Sequence, residues 1–170
     1  MKTILILRHA KSDWGDPKLK DFDRPLNKRG RKDAPRMGEA LAFAKLTPDR
    51  ILASPAKRAK QTAEFVAEAC GYVKPIHWQE SFYEAASDDL LTALHELPDW
   101  VERVLLVGHN PTLEETIAKL CLADSSVMGI SMAPASLACL EADIDDWAEL
   151  QFGLATLRWL LTPKLVKALV

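Results

Sequence analysis

Lys2-Thr3-Ile4-Leu5-Ile6-Leu7-Arg8-His9 is the stretch on which the reading of the fold turns. Its four consecutive apolar residues, Ile4 to Leu7, suit a strand buried on both faces, as in a parallel sheet covered by helices on each side. The pattern returns at Val104-Leu105-Leu106-Val107, which runs into Gly108-His109-Asn110-Pro111. Each buried run therefore delivers a histidine just past its carboxyl end.

Outward from these two runs, strand-like and helix-like segments alternate. Asn27 can cap a helix whose Ala34, Met37, Leu41 and Ala44 share one stripe. Arg50–Ala53 is a short strand, and Ser54-Pro55 offers an N-cap and first-turn proline for a helix to about residue 69, stopped by Gly71. A weak strand is expected at 75–78. Ser87 can cap a helix carrying Leu90, Leu91, Leu94 and Leu97, and Asn110-Pro111 can open another with Leu113, Ile117 and Leu120. After a break at 124–134, strands are expected at 136–141 and 148–154, joined by an acidic turn at 143–146. Thr162-Pro163 starts a last helix. This order predicts an α/β fold: a three-layer α/β/α domain with a mainly parallel central sheet and an antiparallel strand or hairpin near the C-terminus.

With 170 residues, 48% of them hydrophobic and 27% charged, the chain fits one domain spanning 1–170 and is not disordered. Cys70, Cys121 and Cys139 are odd in number and widely spaced. They read as reduced thiols of a cytoplasmic protein and not as a zinc site. No membrane span is expected, and the N-terminus lacks the pattern of a cleaved leader. The net charge of −2 conceals 16 Lys/Arg against 7 Asp/Glu in residues 1–60, and 6 against 17 in the remainder. A basic half suits an anionic ligand, although two solvated faces of opposite sign explain composition alone.

Ligands of such sheets bind beyond the carboxyl ends of the strands. Arg8-His9, the run Ser54 to Arg58, and Gly108-His109-Asn110 all fall there. Two arginines and two histidines beside helix starts make a site for a dianion. Positive neighbours disfavour imidazolium, so His9 should be neutral and nucleophilic near neutral pH, as covalent phosphoryl transfer requires. A single Arg-His pair would more often be structural, and the three strand ends together reverse that balance. His77 and His95 read as structural or surface residues, and the five tryptophans as core or rim, with Trp14 near the mouth of the site. The chain has no HExxH, no clustered carboxylates, no GxxxxGK[ST] and no GxGxxG, which argues against metallohydrolase and nucleotide-binding classes.

The segments LRHAKSDW at 7–14, SPAKRAKQTA at 54–63 and VGHN at 107–110 resemble, in order, the signatures of the histidine phosphatase superfamily. DFDRPLNKRG at 21–30 and MAPASLACLE at 132–141 are similar to its SixA-type phosphohistidine phosphatase branch. The resemblance covers nearly the whole chain and implies a phosphoglycerate mutase-like fold. It implies His9 as phosphoryl acceptor, with Arg8, Arg58 and His109 holding the phosphate. It implies Glu84, in Phe82-Tyr83-Glu84, as proton donor in preference to Glu80; the alternative is a plain acidic residue ahead of a helix. The chain departs from the pattern at Ala10, where glycine is usual, at Asn27, where threonine is common, and at Gly15, where a phosphate-binding asparagine is common. Lys11 or Ser12 is the expected substitute for that asparagine, and Asn110 is expected as a further phosphate ligand.

The expectation is thus a metal-independent, cofactor-free phosphatase acting on phosphohistidine of a protein. A small phosphorylated metabolite, or phosphate binding without turnover, is the alternative. Phosphate, sulfate and vanadate should inhibit, and neither nucleic acid nor membrane is an expected partner.

Overall fold

The computed structural model describes residues 1–126 and 128–169. Its elements in chain order are β1 (Lys2–Arg8), α1 (Lys28–Phe43), β2 (Arg50–Ala53), α2 (Lys57–Cys70), β3 (His77–Trp78), α3 (Ser87–His95), β4 (Arg103–Gly108), α4 (Thr112–Leu122), β5 (Leu137–Ala142), β6 (Ala155–Leu161) and α5 (Pro163–Leu169). One sheet of order β3-β2-β4-β1-β5-β6 runs through the molecule. β1, β2, β3 and β4 are mutually parallel, and β5 is antiparallel to both β1 and β6.

The two tetrads behave as their composition requires. Ile4 and Ile6 join one core with Val104 and Leu106, together with Leu90, Leu94, Leu113 and Ile117 from α3 and α4. Leu5, Leu7, Leu105 and Val107 join the opposite core with Met37 and Leu41 of α1, Ala63 and Val66 of α2, and Val166 of α5. Side chains alternate across a strand, so four apolar residues in a row serve two cores at once. Helices α1 and α2 approach closely: a Cβ on Gly38 would lie 2.6 Å from the Val66 carbonyl oxygen.

Several boundaries differ from expectation. Helix α2 starts at Lys57 and not at Pro55, because Ser54 still belongs to the sheet: its N–H donates to the Val107 carbonyl. Ser87 does not cap α3; it is the first helical residue, and Asp89 closes the turn by accepting from Ala86 N–H at 2.8 Å. Asn110 does not cap α4: Pro111 takes the N-cap position, and Asn110 Oδ1 accepts no hydrogen bond among the described residues. The last strand lies at 155–161 and not at 148–154. Trp147 is fully buried, its indole N–H donating to the Val101 carbonyl at 2.7 Å, and this anchors a short 3-10 turn where strand was expected. Asn27 does cap α1, accepting from Gly30 N–H at 2.9 Å, and left-handed Gly71 ends α2.

Candidate active site

The carboxyl ends of β1, β2 and β4 meet at one rim. Arg8 N–H donates to Ser136 O, His9 N–H to Gly108 O, and Ser54 N–H to Val107 O, so the three strand ends are stitched together past their last ladder bonds. Thr62 adds a brace from α2, accepting from Ala10 N–H at 3.0 Å and donating to the Arg58 carbonyl at 2.7 Å. His9, Arg58 and His109 are brought together by this stitching.

His9 is almost fully buried, and its Nδ1 lies 2.8 Å from the Ala10 carbonyl oxygen. A carbonyl only accepts, so Nδ1 carries the proton and Nε2 keeps its lone pair. Arg58 Nε–H donates to that lone pair at 3.3 Å. Burial chiefly, with repulsion from the Arg58 and Arg8 guanidinium groups and from a protonated His109 adding to it, lowers the His9 pKa to about 3, against the opposing bond to Ala10. The imidazole is therefore neutral across the physiological range, as a nucleophile must be.

The His109 ring lies 5.2 Å from that of His9, centroid to centroid. Burial, and then Arg58 and Arg8 against the raising effect of Asp21, lower its pKa to about 4. Its Nε2 lies 2.8 Å from Ser54 Oγ, and that oxygen also accepts from Ala56 N–H at 3.3 Å. The arrangement satisfying all three groups has the Ser54 hydroxyl donating to Nε2, which leaves the proton on Nδ1. Nδ1 is buried without a partner among the described residues, a donor left for a ligand.

Asp21 and Tyr83 complete the enclosure, and sequence reasoning missed both. Arg58 Nη1 donates to the Asp21 carbonyl at 2.7 Å and Nη2 to its Oδ2 at 3.1 Å. Tyr83 O–H donates to the same Oδ2 at 2.7 Å, and Arg24 donates twice to Oδ1, at 3.1 and 2.8 Å. Burial works against the Asp21 carboxylate, but the bonds from Tyr83, Arg24 and Arg58 hold it well below the usual carboxylate range. Of the five guanidinium protons of Arg58, Asp21 takes two and His9 one, leaving two that an anionic ligand could use. Tyr83 packs edge-on against His109 with centroids 5.8 Å apart, and Phe22 against Tyr83 at 4.9 Å. The DFDR run at 21–24 was visible as a motif, but no spacing rule assigns its first Asp to an arginine 37 positions away.

The other expected residues are placed as follows. Arg8 Nη1 donates to the Met132 carbonyl at 2.6 Å, while its Nε is buried without a partner among the described residues. Burial lowers the Arg8 pKa and the nearby Glu114 opposes that effect. Asn110 spends its amide N–H groups on Glu114 at 2.7 Å and the Met132 carbonyl at 3.2 Å, so it fastens the segment around Met132. Ser12 is buried and accepts from Arg24 at 2.7 Å, and Lys11 is exposed. Neither bonds to His9, Arg58 or His109; Ser12 meets the cluster only through Arg24 and Asp21. Glu84 is exposed, with no side-chain hydrogen bond among the described residues; its neighbour Tyr83 is the one that reaches the cluster. Trp14 is 71% exposed and stacks on the Arg24 guanidinium at 3.4 Å. His95 is structural, bonded to the Leu150 carbonyl at 2.7 Å. No group of three or more His, Cys, Asp or Glu side chains suited to a metal ion occurs among the described residues. No helix there is long and apolar enough to cross a membrane.

The family model of the histidine phosphatase superfamily (branch 1) matches residues 4–93. An Arabidopsis thaliana chloroplastic protein, At3g52155, is 32% identical over 158 residues, covering 87% of this chain and 70% of its own. Phosphohistidine phosphatase SixA of Escherichia coli is 28% identical over 171 residues, covering 98% of this chain and 99% of its own. The crystal structure of a candidate SixA phosphohistidine phosphatase from Agrobacterium tumefaciens superposes with a TM-score of 0.79 at 29% identity, over 95% of this chain and 98% of that one.

Proposed function

The chain belongs to the histidine phosphatase superfamily, and from that premise we propose that it removes phosphate from phosphohistidine on a protein, through a covalent phosphohistidine at His9 and without a metal. One observation carries this reading: a buried, neutral His9 presents the Nε2 lone pair toward Arg58 and across from His109. The likeness to proteins named SixA supports the substrate class.

The Nε2 lone pair of His9 attacks phosphorus in line, a bond forms between them, and the bond to the leaving atom breaks with its electron pair. An oxygen of the phosphoryl group takes over the Arg58 Nε–H that covers Nε2 in the resting site. His109 Nδ1–H, Arg8 and the remaining Arg58 protons hold the equatorial oxygens, a task of positioning and electrostatics. A phosphohistidine substrate protonated on its distal ring nitrogen departs as neutral imidazole, so it needs no acid from the enzyme. An ester leaves as alkoxide and needs a proton, the role proposed for Glu84. Water then attacks the phosphorus on His9, releasing inorganic phosphate and restoring the ring.

The deciding assay compares a phosphohistidine protein, a sugar phosphate and a nucleotide phosphate side by side, with and without EDTA. The phosphohistidine protein should be turned over fastest, EDTA should leave the rate unchanged, and vanadate should inhibit. Faster turnover of either ester, or loss with EDTA and rescue by a divalent metal, would overturn the reading.

A further inference from the structure

A second charged feature opens on the rim that carries His9. Between α1 and α5 lies a cleft of about 460 Å³, lined by Lys28, Arg29, Lys32, Arg36, Lys164 and Lys167 with Pro163 and the single carboxylate of Asp33. Asp33 is committed to Arg29 at 3.2 Å and Arg36 at 2.8 Å. Lys28, Lys32 and Lys164 are exposed, with no carboxylate in salt-bridge contact among the described residues. Like charges gathered in a concavity repel one another and cost stability, and the catalytic cluster makes no use of these six. The basic excess of the first 60 residues is concentrated here as well as at the catalytic rim.

The topology fixes where this cleft begins. Leu7 pairs with Leu137 and Leu137 with Leu161, so the start of α5 is level with Arg8-His9 and two strands away, about 10 Å across the sheet. On the other wall, Asn27 N–H donates to the Lys11 carbonyl at 3.0 Å, which holds the start of α1 against the segment just past His9. From Lys28 to Arg36 the helix runs about 12 Å away from that rim.

We propose that this cleft is a docking track for an acidic segment of the phosphorylated protein, an inference that rests on the protein-phosphatase reading above. At about 3.3 Å per residue, an extended segment reaches the cleft some three residues from its phosphorylated histidine and lies along it for about four more. Lysines on flexible stems tolerate variable carboxylate positions, so the track reads charge and not sequence. Nucleic acid is the poorer fit, because the lining offers no aromatic face for a base to stack on.

The test uses synthetic phosphohistidine peptides carrying four residues of Glu, Ser or Lys, placed three positions from the phosphorylated histidine. The proteins are the wild type and a Lys28→Glu/Lys32→Glu/Lys164→Glu variant. Lys28 and Lys164 lie in first helical turns, where glutamate is favourable, so the variant should fold. Wild type should prefer the Glu peptide over the Ser peptide by about tenfold in kcat/KM, mainly through KM, and should lose that preference at high salt. The variant should lose or reverse the preference while hydrolysing phosphoramidate, a probe too small to reach the cleft, at the wild-type rate. Binding of a labelled decaglutamate, measured by anisotropy, should follow the same pattern. Equal turnover of the three peptides by wild type, an unchanged preference in the variant, or tighter binding of an oligothymidylate than of decaglutamate would overturn the proposal. Failure of every phosphohistidine probe to turn over would instead sink the functional reading, and the decaglutamate measurement would still decide whether the cleft binds acidic chains.

Discussion

At the scale of single residues, the proposed nucleophile His9 ties chemistry to acid stability. His9→Ala should abolish turnover with little change in folding, and rapid quench should trap acid-labile phosphate on the wild type only. Label retained by the His9→Ala protein would refute the assignment. The lowered pKa values of about 3 for His9 and about 4 for His109 give the pH behaviour. In the unfolded chain each imidazole takes up a proton near 6.5, whereas in the folded protein it does not until far lower pH. Acidification therefore favours the unfolded chain progressively from about pH 6.5 down to those folded values, and the contribution is fully present only above 6.5. Imidazole NMR titration of the free protein should show neither ring protonating between pH 8 and 5; an inflection of His9 near 6.5 would contradict the desolvated, cation-flanked site. Neutrality of His9 was expected from the adjacent arginines, but burial is the larger cause. Its tautomer was not readable, because that depends on the Ala10 carbonyl.

At the scale of elements, the segment between β1 and α1 is held to Arg58 through one residue. Asp21 receives Arg58, Tyr83 and Arg24, and Arg24 continues to Ser12 and Trp14. Gln61 of α2 fastens the far end by accepting from Leu26 N–H at 2.8 Å. Asp21→Ala removes the carboxylate that accepts from Arg58 Nη2, Tyr83 and Arg24, and leaves the segment held to Arg58 only through the residue-21 carbonyl. It should lower kcat/KM about tenfold, the scale of a lost hydrogen bond to a charged group discounted for partial exposure. Limited proteolysis between residues 12 and 26 should accelerate in parallel; unchanged kinetics and unchanged cleavage would show that Asp21 orients nothing. The sequence reveals elements whose signal is local. Apolar tetrads and capping residues located β1, β4 and α1 closely. Ser54 misled because a serine before a proline reads as a helix cap, and here its hydroxyl serves His109. The 148–154 segment misled because the residue just before it, Trp147, is buried on the distant Val101 carbonyl and turns the chain into a 3-10 turn over 147–149.

At the scale of the whole molecule, a single sheet separates two cores, and the architecture was legible because β1 and β4 are apolar on both faces. The pairing of β5 between β1 and β6 was only partly legible, since a parallel-sheet pattern carries no mark of where an antiparallel strand inserts. A sheet buried on both sides ties the two helix layers together: Leu105 belongs to the core under α1 and α2, and Leu106 to the core under α3 and α4, yet they are consecutive on one strand. Both are fully buried, so Leu105→Ala and Leu106→Ala should each cost about 2–5 kcal/mol through lost transfer energy and the cavity left behind. Neither layer can loosen without exposing the shared strand, so each variant should unfold in one transition with the wild-type denaturant dependence. Equilibrium denaturation followed by far-UV circular dichroism and by tryptophan fluorescence provides the measurement. Trp147 lies in the α3/α4 core and Trp159 packs on the other, so the two layers carry separate reporters. Trp147→Phe and Trp159→Phe versions of the protein allow each reporter to be read by difference. Coincident midpoints for the two reporters are expected in both leucine variants. A Leu105→Ala protein in which the α1/α2 layer melts first, while the Trp147 signal stays native, would show that the layers are independent units and that β1 and β4 do not couple them.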